Sequence, residues 1–145
     1  MPLHLIKLCV GAESIVDMEE WIAERRAAKR ARGIADEQTH RTRMIPKRAG
    51  EIVGGGSLYW VIKGHVAARQ NVLDIRPLTD AEGISRCDIV LEPTMIPVMP
   101  RPHRPFQGWR YLKTEDAPQD LTGARRKVAE MPEELRRELS EMGLL

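Results

Sequence analysis

Short apolar runs separated by turn residues are the clearest pattern in the chain. Residues 3–10 (LHLIKLCV) form one such run, which stops at Gly11 and predicts a buried first strand. Residues 58–78 carry the strongest strand signal, two runs that break or bulge around Gly64. Further strands are predicted over residues 39–46, 86–100 and 109–113.

One segment has the spacing of a helix instead. Ile15, Trp21 and Ile22 recur at helical spacing, so we expect the Trp21 ring to face the core. Ser14 can cap the first turn, and the helix is predicted to end near Gly33.

The predicted strands outnumber the helices and mostly follow one another. This order predicts an α+β domain built on a small curled mixed sheet or β-barrel, with an N-terminal helix. A short amphipathic C-terminal helix is predicted from Pro132, with Leu135 and Leu139 facing inward. The length of 145 residues fits a single domain over residues 1–145. We expect its folded core at about residues 3–121 and a helical tail at about residues 122–145.

Composition argues against several classes of protein. No apolar run approaches the roughly 20 residues that span a bilayer, and the N-terminal run lacks the charged leader of a signal peptide. We therefore expect a cytoplasmic protein without a membrane partner. Cys9 and Cys87 lie far apart in sequence, which predicts two buried thiols rather than a disulfide. Neither a metal nor another cofactor is predicted, because the histidines are isolated from one another and from both cysteines: His4, His40, His65 and His103.

Positive charge is concentrated in residues 25–48, which carry nine basic side chains against Asp36 and Glu37. Such a block is a candidate phosphate footprint. Its first part, Arg25 to Arg32, has a plainer interpretation, because basic residues at the end of a helix complement the helix dipole and are solvated. The later basic side chains are the candidate phosphate contacts: Arg41, Arg43, Lys47 and Arg48.

Strand periodicity divides residues 58–69 into two faces. One face is apolar and is predicted to lie in the core. The opposite face carries a phenol, an ammonium, an imidazole and a guanidinium, which could contact a base and a phosphate. The alternative is an ordinary solvent-facing side of a strand. The candidates on this face are Tyr59, Lys63, His65 and Arg69.

Residues 101–112 (RPHRPFQGWRYL) hold three of the six aromatic side chains, interleaved with cationic groups. Stacking rings beside guanidinium groups suit single-stranded nucleic acid or a nucleotide. Nearby prolines stiffen the approach to this segment, and Trp109 or Tyr111 is expected to fill the core. The candidate ligand contacts are Arg101, His103, Arg104, Trp109 and Arg110.

The glycine run at residues 54–56 shares only its composition with a phosphate-binding loop. A P-loop lies between a strand and a helix and ends in Gly-Lys-Ser/Thr, whereas this run precedes a predicted strand and no lysine follows it. The run therefore predicts a sharp turn that needs positive φ.

Three blocks carry a resemblance to known proteins: LHLIKLCVGAES, GGGSLYWVIKG and RPFQGWRYLK. Through residues 3–121 the chain resembles a small bacterial family, the domain of unknown function fourteen eighty-nine. The order of predicted elements is more weakly similar to the PUA superfamily, with its ASCH and EVE branches. That similarity implies a compact PUA-like barrel that binds RNA or modified bases, and some ASCH-type members are small enzymes. The motif Gly-x-Lys-x-x-Glu-x-Arg of the ASCH branch is absent, and only a loose run matches it: Lys47, Arg48, Gly50 and Glu51.

Three hypotheses about function follow. The first is an RNA-, modified-base- or nucleotide-binding module, with RNA or a nucleotide as its partner. The second is a small enzyme acting on a nucleotide-like or other anionic metabolite, with acid and base groups drawn from Lys63, His65, Glu51 and His103. The third is a protein-interaction module that uses the C-terminal helix. The sequence leaves the oligomeric state open.

Overall fold

The computed structural model describes residues 2–121 together with Glu134 and Arg137. This part of the chain holds seven strands, two α-helices and one 3-10 turn. The helices are α1 (Ile15–Ala31) and α2 (Ala49–Ile52). The strands are β1 (Leu3–Leu8), β2 (Gln38–Thr42), β3 (Ser57–Ile62), β4 (His65–Thr79), β5 (Ser85–Leu91), β6 (Ile96–Pro102) and β7 (Trp109–Lys113).

The described strands form one mixed sheet in the order β2-β5-β4-β3-β1-β7, and β6 pairs with β4. β1 and β3 are parallel, with α1, β2 and α2 in the connection between them, and the other pairs are antiparallel. β4 pairs with β6 through its first residues and with β5 through its last ones. The prediction of an α+β domain on a curled mixed sheet is confirmed. The barrel alternative is not realised, because β2 and β7 stand at opposite ends of an open order.

The segment predicted as one strand over residues 86–100 is two strands, β5 and β6. Residues 92–95 interrupt the strand, since Pro93 has no N–H to donate to a ladder. The chain nevertheless stays beside β4, because the Glu92 N–H donates to the Asn71 carbonyl at 2.9 Å.

The sheet is buried on both faces around β3. One core cluster packs beneath α1 and includes Leu58, Trp60 and Ile89. The second cluster lies on the opposite face, where Tyr59 packs with Phe106 from the loop before β7. Tyr59, predicted to lie on a ligand- or solvent-facing side of the strand, is instead buried, with only 4% of the residue exposed.

The N-terminus of α1 is capped as predicted. The Asp17 N–H donates to Ser14 Oγ at 3.1 Å, and the Glu13 N–H donates to Asp17 Oδ2 at 3.1 Å. The prediction that Trp21 faces the core is wrong, because 43% of its surface is exposed. At 100° per residue, Trp21 lies about 90° from the stripe of buried residues that ends at Ile22.

The glycine run makes the predicted turn into β3. Gly54 has φ +88°, a conformation that residues with a side chain rarely adopt. Gly56 is needed for a different reason, since a Cβ there would lie 2.1 Å from the Leu3 carbonyl oxygen. This close approach is what lets β3 begin beside β1.

Leu135 and Leu139, the apolar residues of the predicted C-terminal helix, lie outside the described residues. Within the described part of the chain, no helix combines the length and the apolar content needed to cross a bilayer. Cys9 and Cys87 are both free thiols, the second fully buried.

Candidate functional site

A groove of about 580 Å³ lies between α1 and β2. α1 forms one wall with the side of the helix that carries Trp21, and β2 forms the other. We call this cavity the α1–β2 groove. Its lining residues are Trp21, Ile22, Arg25, Arg26, Ala28, Lys29, Arg32, Glu37, Gln38, Thr39, His40 and Arg41.

The helical wall of the groove is strongly basic because of residue spacing. Arg25, Lys29 and Arg32 lie four and three residues apart, which places them on one side of α1. Trp21 precedes Arg25 by four residues and shares that side. The groove lining contains five basic side chains and one acidic side chain, Glu37.

Two of the basic side chains in the groove are neutralised by carboxylates. Arg26 pairs with Asp36 at 3.0 Å. Arg41 makes two hydrogen bonds to Asp88, at 2.8 and 3.1 Å. These two guanidinium groups therefore add little net charge to the cavity.

The other three basic side chains have no carboxylate partner among the described residues. The Arg25 guanidinium carbon lies 4.4 Å from the centre of the Trp21 ring. Lys29 Nζ donates to the Glu37 carbonyl at 2.5 Å. The Arg32 side chain makes no hydrogen bond or ion pair within the described residues. The groove thus keeps positive charge available to an anion.

His40 lies where the groove meets the core. Its Nε2 atom is buried and has no hydrogen-bond partner among the described residues. Its ring stands perpendicular to Trp60, with ring centres 5.4 Å apart. Burial, reinforced by the positive charges of Lys7 and Arg25, lowers the pKa of His40 to about 4. The imidazole is therefore neutral at physiological pH.

A second polar assembly lies at the centre of the sheet, and we call it the β4 polar network. Gln70, fully buried, accepts from Trp60 Nε1 at 2.9 Å and donates to Gln38 and to the Glu92 carbonyl. Arg69 donates twice to Asp120, both at 2.8 Å. The network consists of Gln38, Ser57, Trp60, Arg69, Gln70, Asn71, Glu92 and Asp120.

The candidates from the basic block are dispersed. Arg41 reaches the groove but is held by Asp88. Arg48 pairs with Glu51 at 2.6 Å, on another part of the surface. Arg43 and Lys47 are exposed and do not line the groove.

The candidates on the β3 and β4 strands also lie outside the groove. Tyr59 is in the core, and Arg69 belongs to the β4 polar network. Lys63 forms an ion pair with Glu13 at 3.4 Å. His65 pairs with Pro102 of β6.

The candidates from residues 101–112 gather at the far end of β6. The His103 N–H donates to the Gly64 carbonyl at 2.9 Å, so this segment meets the β3–β4 turn. Arg101 donates to the Asp116 carbonyl, and Arg110 lies over the Phe106 ring at 4.9 Å. Arg104 is exposed. The prediction that Trp109 or Tyr111 fills the core is confirmed for Trp109, which is 5% exposed.

Sequence reasoning missed Trp21, His40, Arg25, Lys29 and Arg32 as parts of a site. The basic side chains were interpreted as a solvated helix end, and Trp21 as a core residue. The spacing of Arg25, Lys29 and Arg32 after Trp21 was the available signal, because it places ring and charges on one side of a helix. No sequence signal exists for the unpartnered nitrogen of His40.

Comparison with known proteins identifies the family. A family model described as a protein of unknown function (DUF1489) matches residues 5–145. The chain belongs to the DUF1489 family. Membership in DUF1489 confirms the stronger of the two resemblances, and the PUA-like similarity stays a prediction. Neither the curated proteins nor the solved structures contain a match to the chain.

The described part of this DUF1489 protein offers no ready metal centre. Among residues 2–121, Glu134 and Arg137, no three His, Cys, Asp or Glu side chains are grouped so that they could hold a metal ion. The α1–β2 groove itself presents cations, an aromatic ring, neutral polar groups and the carboxylate of Glu37, which pairs with Arg76.

Proposed function

We propose that the α1–β2 groove binds a nucleotide, either free or as one unit of single-stranded RNA. The observation that supports this proposal is the half-exposed Trp21 ring beside three cations that form no ion pair with a described carboxylate. An aromatic ring can stack a base, and guanidinium and ammonium groups can bind its phosphate. The volume of about 580 Å³ also lies within the range of small-ligand sites.

The order of side chains along α1 suggests how a nucleotide would lie. Trp21 and Arg32 are eleven residues apart, which corresponds to about 16 Å along the helix. In our proposal the base replaces the Arg25 guanidinium on the Trp21 ring. The freed Arg25, together with Lys29 and Arg32, then contacts phosphate farther along the helix.

His40 contributes no charge to this binding. With a pKa of about 4, the imidazole is neutral at pH 7, and it neither attracts phosphate nor repels the nearby cations. The affinity is therefore expected to depend on ionic strength, and any change between pH 6 and pH 8 should follow the second ionisation of the phosphate rather than the protonation of His40.

The alternative functions have less support. In the enzyme hypothesis, Glu51 and Lys63 are the groups that would act with His65 and His103. Glu51 is paired with Arg48, Lys63 is paired with Glu13, and the α1–β2 groove contains none of the four. The interaction hypothesis rests on the C-terminal helix, which lies outside the described residues. Both stay predictions.

The test is a binding titration with the four nucleoside 5′-monophosphates and a short single-stranded RNA. Arg25→Ala and Arg32→Ala should each weaken binding about tenfold, because each removes a charge-assisted hydrogen bond. Trp21→Leu should weaken binding by a similar factor and should abolish quenching of tryptophan fluorescence. Tighter binding of RNA than of monophosphates, with a steeper salt dependence, would identify RNA as the ligand.

Arg104→Ala is the matched control, because it removes the same exposed group outside the groove. It should leave the affinity within a factor of two of the wild type. Absence of binding at low salt, or an equal loss in the Arg104 variant, would contradict the proposal.

A further inference from the structure

The strand wall of the α1–β2 groove is formed in an unusual way. Five consecutive residues, 37–41, line the cavity. Side chains of a strand alternate between its two faces, so a wall made by one face would contain only every second residue. A consecutive set of strand residues, 38–41, indicates a groove that runs along the edge of β2 rather than across one of its faces.

That edge has no strand partner in the described part of the chain. β2 pairs with β5 through residues 38–42 and stands at the end of the strand order. The side chains of α1 reach only the main-chain carbonyls before the strand, from Arg26 to Asp36 and from Lys29 to Glu37. No other described side chain bonds to the main chain of Thr39, His40 or Arg41.

The geometry of an antiparallel ladder fixes what this edge presents. Successive residues alternate, so that one directs both its N–H and its C=O to the partner strand and the next directs both away. One of Thr39 and His40 therefore directs a donor and an acceptor away from β5, and both residues line the groove that α1 closes on its other side. The hydrogen-bonding edge of a nucleobase carries an acceptor beside a donor, so it can pair with a main-chain N–H and C=O that lie side by side.

We infer that the free edge of β2 recognises the base of the ligand through main-chain hydrogen bonds. This inference rests on the proposed function and narrows its ligand class. The ligand carries a heterocycle with adjacent donor and acceptor groups, and a sugar phosphate or inorganic phosphate alone does not satisfy the site. Selectivity thus comes from the strand edge, while α1 supplies stacking and charge.

The experiment is amide hydrogen exchange, followed by NMR on the full-length protein. In the free protein, the outward-facing amide among Thr39, His40 and Arg41 should exchange fast, because it has no protein acceptor. Saturation with a nucleoside 5′-monophosphate should slow that exchange at least tenfold. Ribose 5-phosphate should bind at least tenfold more weakly and, at equal saturation, should leave the exchange unchanged.

Thr42→Val serves as the control variant, because it removes a hydroxyl from β2 at a residue that does not line the groove. It should leave nucleotide affinity within a factor of two. A tenfold loss in this variant would overturn the inference, since nucleotide binding would then depend on a part of β2 outside the groove.

Three further results would overturn it. If a monophosphate binds without protecting any β2 amide, the proposed function is supported, but the inferred main-chain hydrogen bonds to the base are contradicted. Protection by tetraglutamate but by no nucleotide would identify the edge as a site for an extended acidic peptide. Absence of any nucleotide binding in the titration would remove the proposed function and the inference together.

Discussion

The β4 polar network and the α1–β2 groove both place arginine and glutamine side chains near a tryptophan, but they differ in how those groups are paired. In the network, the Arg69 guanidinium binds Asp120, Ser57 and Asn71. In the groove, Arg25 and Arg32 have no carboxylate partner among the described residues. The network is closed within the protein, whereas the groove is open to a ligand.

This difference separates groups that hold the fold together from groups that can bind something else. A buried polar atom with its partners in place strengthens a unique packing, and removing one partner leaves the others unsatisfied. A solvated cation gives up little when it exchanges water for phosphate. Substitutions in the two regions should therefore affect different measurements, stability in one and binding in the other.

Gln70→Leu should produce the largest effect. Leucine keeps much of the volume but leaves Trp60 Nε1, the Gln38 amide and the Glu92 carbonyl without their buried partner. We expect a loss of about 3 kcal/mol in the free energy of unfolding, measured by chemical denaturation. A loss below about 1 kcal/mol would show that the network does not stabilise the fold. It would contradict the proposed difference between the network and the groove.

His40→Phe should reveal the next largest effect through its pH dependence. Burial lowers the folded-state pKa of His40 from 6.5 to about 4, so the unfolded chain takes up the proton first as the pH falls. The wild type is then fully stable above about pH 6.5 and loses stability down to about pH 4, by roughly 2–3 kcal/mol relative to the variant. Denaturation curves from pH 7.5 to pH 4 measure this difference.

At pH 7.5 the phenylalanine variant should be at least as stable as the wild type, since it removes the unpartnered Nε2. If the wild type and the variant show parallel pH profiles, the imidazole of His40 is hydrated in the folded protein. Water then reaches the place where the groove meets the core.

Arg32→Met should have the smallest effect on stability, within about 0.5 kcal/mol, because its side chain makes no hydrogen bond or ion pair with a described residue. Arg69→Met is the matched substitution in the network and should cost several times more, because Asp120, Ser57 and Asn71 lose their donor. Thermal unfolding of the two variants side by side measures the contrast. Equal destabilisation would contradict the division between the two regions.

Local features of the fold could be predicted from the sequence. The apolar run of β1 and the Ser14 cap of α1 each depend on neighbours in sequence, and both predictions are confirmed. The prediction that Trp109 or Tyr111 fills the core is confirmed for Trp109. The burial of Tyr59 could not be predicted, because its cover includes Phe106, which lies far along the chain. Periodicity assigns a residue to a face but does not reveal what packs against that face.

The candidate site could not be predicted from the sequence for a related reason. Arg41 and Asp88 are 47 residues apart, and Arg69 and Asp120 are 51 residues apart. Only the folded chain shows which arginines have a carboxylate beside them and which have none. The sequence reveals where cations are dense, but their availability is a property of tertiary structure.

The place of β2 in the strand order also determines when the groove can form during synthesis of the chain. All groove residues lie between positions 21 and 41, yet the only described strand partner of β2 is β5, which ends at Leu91. A nascent chain that has emerged only as far as β3 can form α1 but lacks the strand that pairs with β2. The groove is therefore completed only after β5 has been synthesised, although β5 itself contributes no residue to the groove lining.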